Sequence, residues 1–284
     1  MTHYTWRKLA SAKWEDAWVE RLQEVSDRLA ITSLVGAKTI RLEAFQLTKA
    51  QAERLRKAFG GTISIQKKLR AVSEAVRAPI KVRQALIVAG NESEGGKLRK
   101  EFPSRPVLVI PAGMAFGSGD HATTATCLRF LADVSETLAG KTWEMLDLGS
   151  GSGILALAGR LLGARRVEAG DFDPHAVRTA RENVRFNELT GIAVKKTDVR
   201  TWQPSRTWDV VSANLFSDLL QEVAPKIAAA TAPGGAVVFS GILRTQEKAV
   251  VSAFRRAGLH IQRTVRKGKW VSGLATRVTG RKTG

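Results

Sequence analysis

The chain has 284 residues, 44% hydrophobic and 25% charged, which allows two domains and is the composition of a globular protein. Its one cysteine, Cys127, excludes an internal disulfide framework and a cysteine-based zinc site, and fits a reducing compartment. The opening MTHYTWRKLASAKWEDAW has no apolar signal core and no stretch reaches membrane-span length, so a cytoplasmic protein without a membrane partner is expected. With 45 basic against 26 acidic residues the formal net charge is +19, which reads either as a field for phosphate- or carboxylate-rich partners or as a general bias toward Arg and Lys spread along the chain.

Residues 4–10 (YTWRKLA) read as a strand. Trp14, Trp18, Leu22, Val25 and Leu29 then fall at helical spacing within residues 14–30. Two apolar runs, ITSLV and KTIRLEAF, flank Gly36-Ala37 as a hairpin. Thr48 caps a helix over TKAQAERLRKAF that stops at Gly60-Gly61, and TISIQKK closes the set as a strand. The order βαββαβ predicts a small α+β, ferredoxin-like domain over residues 1–70. Trp6, Trp14 and Trp18 are expected in its core rather than on a base-stacking surface. Residues 71–104 read as a linker region with a helix (AVSEAVR), a strand (ALIVAG) and a polar stretch (NESEGGKLRK).

From residue 105 to 284, apolar runs of strand length (VLVIPAG, WEMLDLG, RRVEAGDFD, AVKKTDV, WDVVSANL, GAVVFSGI) alternate with helical stretches. That alternation predicts an α/β, doubly wound, Rossmann-like domain with a parallel sheet covered on both faces. The last stretch, IQRTVRKGKWVSGLATRV, reads as a hairpin turning at Lys267-Gly268-Lys269.

LDLGSGSG, residues 146–153, stands at a strand-to-helix turn, where such sheets bind ligands. A dinucleotide fingerprint needs glycine at relative positions one, three and six. Gly149 and Gly151 supply two, but Ile154 holds the sixth, and no Gly-Lys-Ser/Thr follows to make a phosphate loop. Asp147, two residues before the first glycine, attracts a cationic ligand and repels pyrophosphate. S-adenosylmethionine carries a sulfonium and an ammonium and no phosphate. Asp171 follows the next strand, where a carboxylate accepts hydrogen bonds from ribose hydroxyls. Asp198 follows the third strand, within reach of an adenine edge. Asp173, just before Pro174, reads as a helix cap. Three acids at three successive strand ends, beside a Gly-x-Gly-x-Gly turn, predict S-adenosylmethionine as the cofactor.

The stretches AFGSGDHATTATCLRFL (115–131), LDLGSGSGILALA, GDFDPHAV and SANLFSDLLQEVAP (212–225) resemble the ribosomal protein L-eleven methyltransferase family (PrmA). The resemblance implies a class I S-adenosylmethionine-dependent methyltransferase domain preceded by a ferredoxin-like substrate-recognition domain. It also implies transfer of methyl groups to lysine side chains and the N-terminal amine of a ribosomal protein. Cofactor contacts are implied at Thr124, Gly149, Asp171 and Asn214, with Asn214 also positioning the acceptor nitrogen. Thr124 opens a helix whose free N–H groups suit the methionine carboxylate, and Gly149 has no Cβ to hold the cofactor off the backbone.

The chain departs from that family at two places. Asp120-His121-Ala122-Thr123-Thr124 replaces Thr-His-Pro-Thr-Thr, and LFSDLL after Asn214 replaces Ile-Leu-Ala-Gly-Pro-Leu. Asp120 and Asp218 either draw a lysine or are simply solvated. His121 is read as ordering its loop, Cys127 as core, and no histidine spacing suggests a metal. An RNA methyltransferase is the nearest rival and the charge favours it, but Asn214-Leu215-Phe216-Ser217 lacks the proline pair that helps stack a flipped base. RNA is therefore expected only as an incidental contact of the basic surface. A non-catalytic cofactor-binding protein of the same fold is the lesser alternative.

Overall fold

A computed structural model describes residues 3–11, 14, 17–18, 21–22, 24–25, 29–33, 39–66, 78–111 and 122–278. The chain divides into two compact units, Met1–Ala75 and Val76–Gly284.

The first unit carries strands β1 (His3–Ser11), β2 (Leu29–Ser33), β3 (Thr39–Leu47) and β4 (Thr62–Gln66). They form one sheet in the order β2-β3-β1-β4, with every neighbouring pair antiparallel. The helix Lys49–Phe59 begins where Thr48 and Gln51 cap each other: the Gln51 N–H donates to Thr48 Oγ1, and the Thr48 N–H to Gln51 Oε1. Trp6 is fully buried beneath it and donates Nε1–H to the Gly60 carbonyl at 2.7 Å. Trp18, Leu22 and Val25 join that core, as their spacing predicts.

Two expectations fail in this unit. Leu29, expected on a helix, instead opens β2, where it pairs with Ala44 and gains a ladder of cross-strand hydrogen bonds. Trp14 is 57% exposed and not part of the core, because Trp18, Leu22 and Val25 already fill the buried stripe. The turn at Gly36-Ala37 and the stretch AVSEAVR lie outside the described residues.

The expected linker is folded from residue 78 onward and belongs to the second unit. Strands β5 (Ile80–Val82), β6 (Leu86–Ala89) and β7 (Val107–Val109) form a small sheet of their own, so VLV does not enter the main sheet. Val82, Leu86 and Leu108 pack into the main core. The polar stretch is in fact a helix, Glu92–Glu101, capped by Asn91, whose Oδ1 accepts the Glu94 N–H at 2.8 Å. Its Gly95 lies against β7, where a Cβ would come within 2.7 Å of Val109 Cγ2.

The main sheet contains β8 (Glu144–Leu148), β9 (Arg166–Asp171), β10 (Ile192–Lys196), β11 (Trp208–Asn214), β12 (Thr231–Leu243), β13 (Leu259–Lys267) and β14 (Trp270–Arg277). Their order is β10-β9-β8-β11-β12-β14-β13, parallel from β10 to β12 and antiparallel through the last hairpin. Helices Ala122–Thr137, Ile154–Leu161 and Pro174–Phe186 cover one face. Ser217–Ala230 and Glu247–Arg256 cover the other. Successive strands run outward from β8 to β10, and then β11 returns to the opposite side of β8. That reversal opens a crevice at the carboxyl end of β8, where the glycine turn stands.

Candidate functional site

Gly149, Gly151 and Gly153 all have positive φ (70°, 54° and 81°), a conformation that side chains strain to adopt. The turn is fixed to the neighbouring strand: the Gly149 and Ser150 N–H groups donate to the Gly170 carbonyl at 2.8 and 3.1 Å. Asp171, the last residue of β9, completes the brace. Its Oδ2 accepts the Gly151 N–H at 2.8 Å, and its Oδ1 accepts the Asp173 N–H at 2.9 Å. Asp173 in turn caps the following helix through the His175 N–H.

Above this turn opens a cavity of about 510 Å³. Gly149, Gly151, Asp171, Asp198 and Asn214, five of the residues selected from the sequence, line it together. Asp198 uses Oδ1 to accept the Arg200 N–H, which shapes its loop. Asn214 ends β11 and donates from Nδ2 to Thr123 Oγ1 at 3.5 Å, while its buried Oδ1 has no partner among the described residues.

The other two selected residues lie elsewhere. Thr124 and Asp147 are both 1% exposed and do not line the cavity. Thr124 Oγ1 and Asp147 Oδ2 nonetheless find no hydrogen-bond partner among the described residues, and neither does Ser150 Oγ. With Asn214 Oδ1 they make four orphaned polar atoms on the glycine turn, on β8, at the end of β11 and on the helix Ala122–Thr137. Native interiors rarely leave such atoms unmatched, so the group calls for a polar ligand. Burial pushes the Asp147 carboxyl up to about 7; the neighbouring Asp171 charge adds to this, and the hydrogen bond from Ser212 Oγ opposes it. Burial likewise pushes the Cys127 thiol up to about 12, with the Asp147 charge adding to it, so Cys127 is an inert core thiol. Asp120 and His121 lie outside the described residues.

Sequence reasoning missed the apolar half of the cavity: Phe172, Leu215, Phe216, Leu219 and Trp270. Phe172 and Phe216 carried a signal, being large apolar residues at strand-to-helix junctions. Trp270 carried none, because it arrives from the terminal hairpin. A larger cavity of about 820 Å³ opens elsewhere, lined by Arg83, Asp133, Asp209 and Arg263. Asp209 lies near the amino end of β11, so this cavity belongs to the opposite end of the strands from the glycine turn. Asp133 there is already neutralised by Arg83 and Arg263.

The model of the family described as ribosomal protein L11 methyltransferase (PrmA) matches residues 73–278. The chain belongs to that family. A ribosomal protein L11 methyltransferase of Pelobacter propionicus is 38% identical over 195 residues, covering 68% of this chain and 62% of the relative. One from Heliobacterium modesticaldum is 40% identical over 172 residues, covering 60% of this chain and 53% of the relative. The chain thus spans between about half and two thirds of the curated relatives it matches. Among solved structures, the ribosomal protein L11 methylase of Lactobacillus delbrueckii subsp. bulgaricus is 28% identical with a TM-score of 0.60, covering 70% of this chain and 98% of that one. The matched PrmA region begins after the first unit's four strands and contains every residue of the cavity. No helix among the described residues is long and apolar enough to cross a membrane.

Proposed function

We propose that this chain is an S-adenosylmethionine-dependent protein N-methyltransferase that modifies lysine side chains or the N-terminal amine of ribosomal protein L11. The observation that carries the reading is the cavity at the β8 switch point, with its glycine floor, its Asp171 and Asp198 carboxylates, and the orphaned atoms around them. The cofactor fits these donors. Asp171 and Asp198, which line the cavity, suit its hydroxyl and amine donors. At Gly149, a Cβ would lie 2.2 Å from Leu215 Cδ2 and fill the cradle.

When bound, the cofactor supplies a methyl group already activated on a sulfonium. The protein's remaining task is orientation, which contributes several kcal/mol when a nucleophile is held in line. Asn214 Oδ1 is the acceptor that would hold an amine N–H and turn its lone pair inward. No histidine or acid is assigned as an obligatory base.

We assign substrate recognition to the first unit and read it as ferredoxin-like; the antiparallel strand order β2-β3-β1-β4, with the helix Lys49–Phe59 between β3 and β4, supports this. A cytoplasmic location is part of the same reading, since ribosomal substrates reside there. Incidental RNA contact by the basic surface accords with the +19 charge.

The test is incubation of the purified protein with labelled S-adenosylmethionine and ribosomes, with and without ribonuclease. Label on L11, at lysine or the amino terminus, supports the proposal. Label confined to RNA and lost on ribonuclease treatment overturns the acceptor while leaving the cofactor reading intact.

A further inference from the structure

The cavity has two chemically different walls. One carries charge: Asp171, Asp198 and Arg200 line it, and Lys196 lies over the Phe172 ring at 5.9 Å. The other is Leu215, Phe216, Leu219 and Trp270, with Asn214 as its polar member and no ionisable side chain among them. Charged groups flank this second wall without lining it. Asp218 is exposed on the helix that follows Phe216, and Lys269 lies over the outer Trp270 ring at 5.3 Å.

Phe216 is out of place on structural grounds. It is 77% exposed, and it occupies the N-cap position of the helix Ser217–Ala230 without making a side-chain cap bond. Serine, threonine, aspartate and asparagine are the residues that stabilise that position. A phenyl ring there leaves a helix N–H uncapped and exposes apolar surface to water. Phe172, 65% exposed, also presents an apolar ring to water, so two exposed aromatic rings line the cavity. Exposed apolar side chains clustered at a cavity mark a place that something covers.

We propose that Leu215, Phe216, Leu219 and Trp270 form the acceptor channel, which takes an alkyl amine on a flexible chain and strips water from it, with Phe216 as its outer gate. This rests on the proposed methyltransferase reading and adds how the acceptor becomes a nucleophile. A lysine ammonium entering the channel loses its hydration to four apolar side chains and finds no carboxylate among the described residues of that wall to pair with. Desolvation favours the neutral form. The N–H bond breaks, the proton passes to bulk water, and the lone pair stays on the nitrogen that Asn214 Oδ1 holds through a remaining N–H. The wall therefore replaces a general base. A flat nucleobase lacks the alkyl stem that such a channel packs against.

Calorimetry with purified ribosomal protein L11 tests the channel, using enzyme preloaded with S-adenosylhomocysteine so that no turnover occurs. Titration in buffers of different ionisation enthalpy counts the protons released. In the wild-type complex about one proton leaves per lysine bound near neutral pH, and affinity rises roughly tenfold per pH unit toward the free lysine value. Phe216→Ala, at an exposed position, keeps the fold; saturated with S-adenosylhomocysteine at a concentration set by its own measured affinity, it releases less than half as many protons and shows a flatter pH dependence. Phe216→Trp restores both. Asp147, whose carboxyl is raised by burial, is common to all three proteins, so the difference between them reads the channel. L11 binding with no proton release in the wild type, or equal release in Phe216→Ala, overturns the inference even if methyl transfer to L11 stands. Absence of both L11 binding and methyl transfer in the wild type overturns the proposed function itself.

Discussion

Asp171 Oδ2 accepts the Gly151 N–H at 2.8 Å, so the carboxylate that closes β9 also sets the height of the glycine turn after β8. One side chain thus shapes the cavity floor and lines the cavity. Replacing Asp171 by alanine removes the brace and a ligand acceptor together. S-adenosylmethionine affinity, measured by calorimetry, is expected to fall at least tenfold, in line with the ~1.5–3 kcal/mol attached to hydrogen bonds of charged groups. Asp171→Asn, which turns one acceptor into a donor, is expected to fall by a similar factor.

Gly149→Ala tests the cradle without touching charge. The new methyl would stand 2.2 Å from Leu215 Cδ2 at a φ of 70°, so both the side chain and the backbone must shift. A loss of cofactor binding with a stability drop of ~1–3 kcal/mol is expected. Unchanged affinity in the alanine variant would refute the close approach of ligand to backbone.

Asp147 predicts a pH dependence of stability. Its carboxyl is raised by burial from 3.8 to about 7 in the folded chain. The unfolded chain releases this proton near its ordinary value, whereas the folded chain holds it until about pH 7. The stabilisation is therefore fully present below about pH 4 and disappears as pH climbs to about 7, a loss of up to ~4 kcal/mol. Urea melts at several pH values between 4 and 8 should show this fall. Asp147→Asn should flatten it and be the more stable protein at pH 8.

Asn187 holds β7 as another strand would. Its Oδ1 accepts the Val109 N–H and its Nδ2 donates to the Val109 carbonyl, both at 2.8 Å. Asn187→Ala strands both groups of a buried valine, and ~2–3 kcal/mol of destabilisation is expected from chemical denaturation.

Phe216→Asn should separate stability from activity. Asparagine at this N-cap can accept a helix N–H, so the melting temperature should rise, equivalent to ~0.5–1 kcal/mol. The KM for L11 should rise with it. A variant that gains stability and keeps its KM would remove Phe216 from the acceptor channel.

Much of this protein was written locally. The turn after β8, the acids after β9 and β10, and Asn214 at the end of β11 are all readable because a strand-to-helix junction has its own signature in glycine, aspartate and hydrophobic period. Helix Glu92–Glu101 was missed because its two glycines mimic a loop, while the deciding contact, Gly95 on Val109, lies across the fold. Thr124 and Asp147 look alike with Asp171 in a linear reading, yet they are buried beside the cavity instead of lining it. That difference depends on which strand neighbours which. The order β9-β8-β11-β12-β14 is settled by packing among segments distant in the chain, and it brings Trp270 of the last hairpin to the same cavity as Leu215 and Phe216. Backbone propensity and side-chain period act over a few residues, so the sequence by itself determined the elements and the cofactor turn. Lateral strand order and burial are collective properties of the packed core, and only the tertiary structure decided which apolar residues line the cavity.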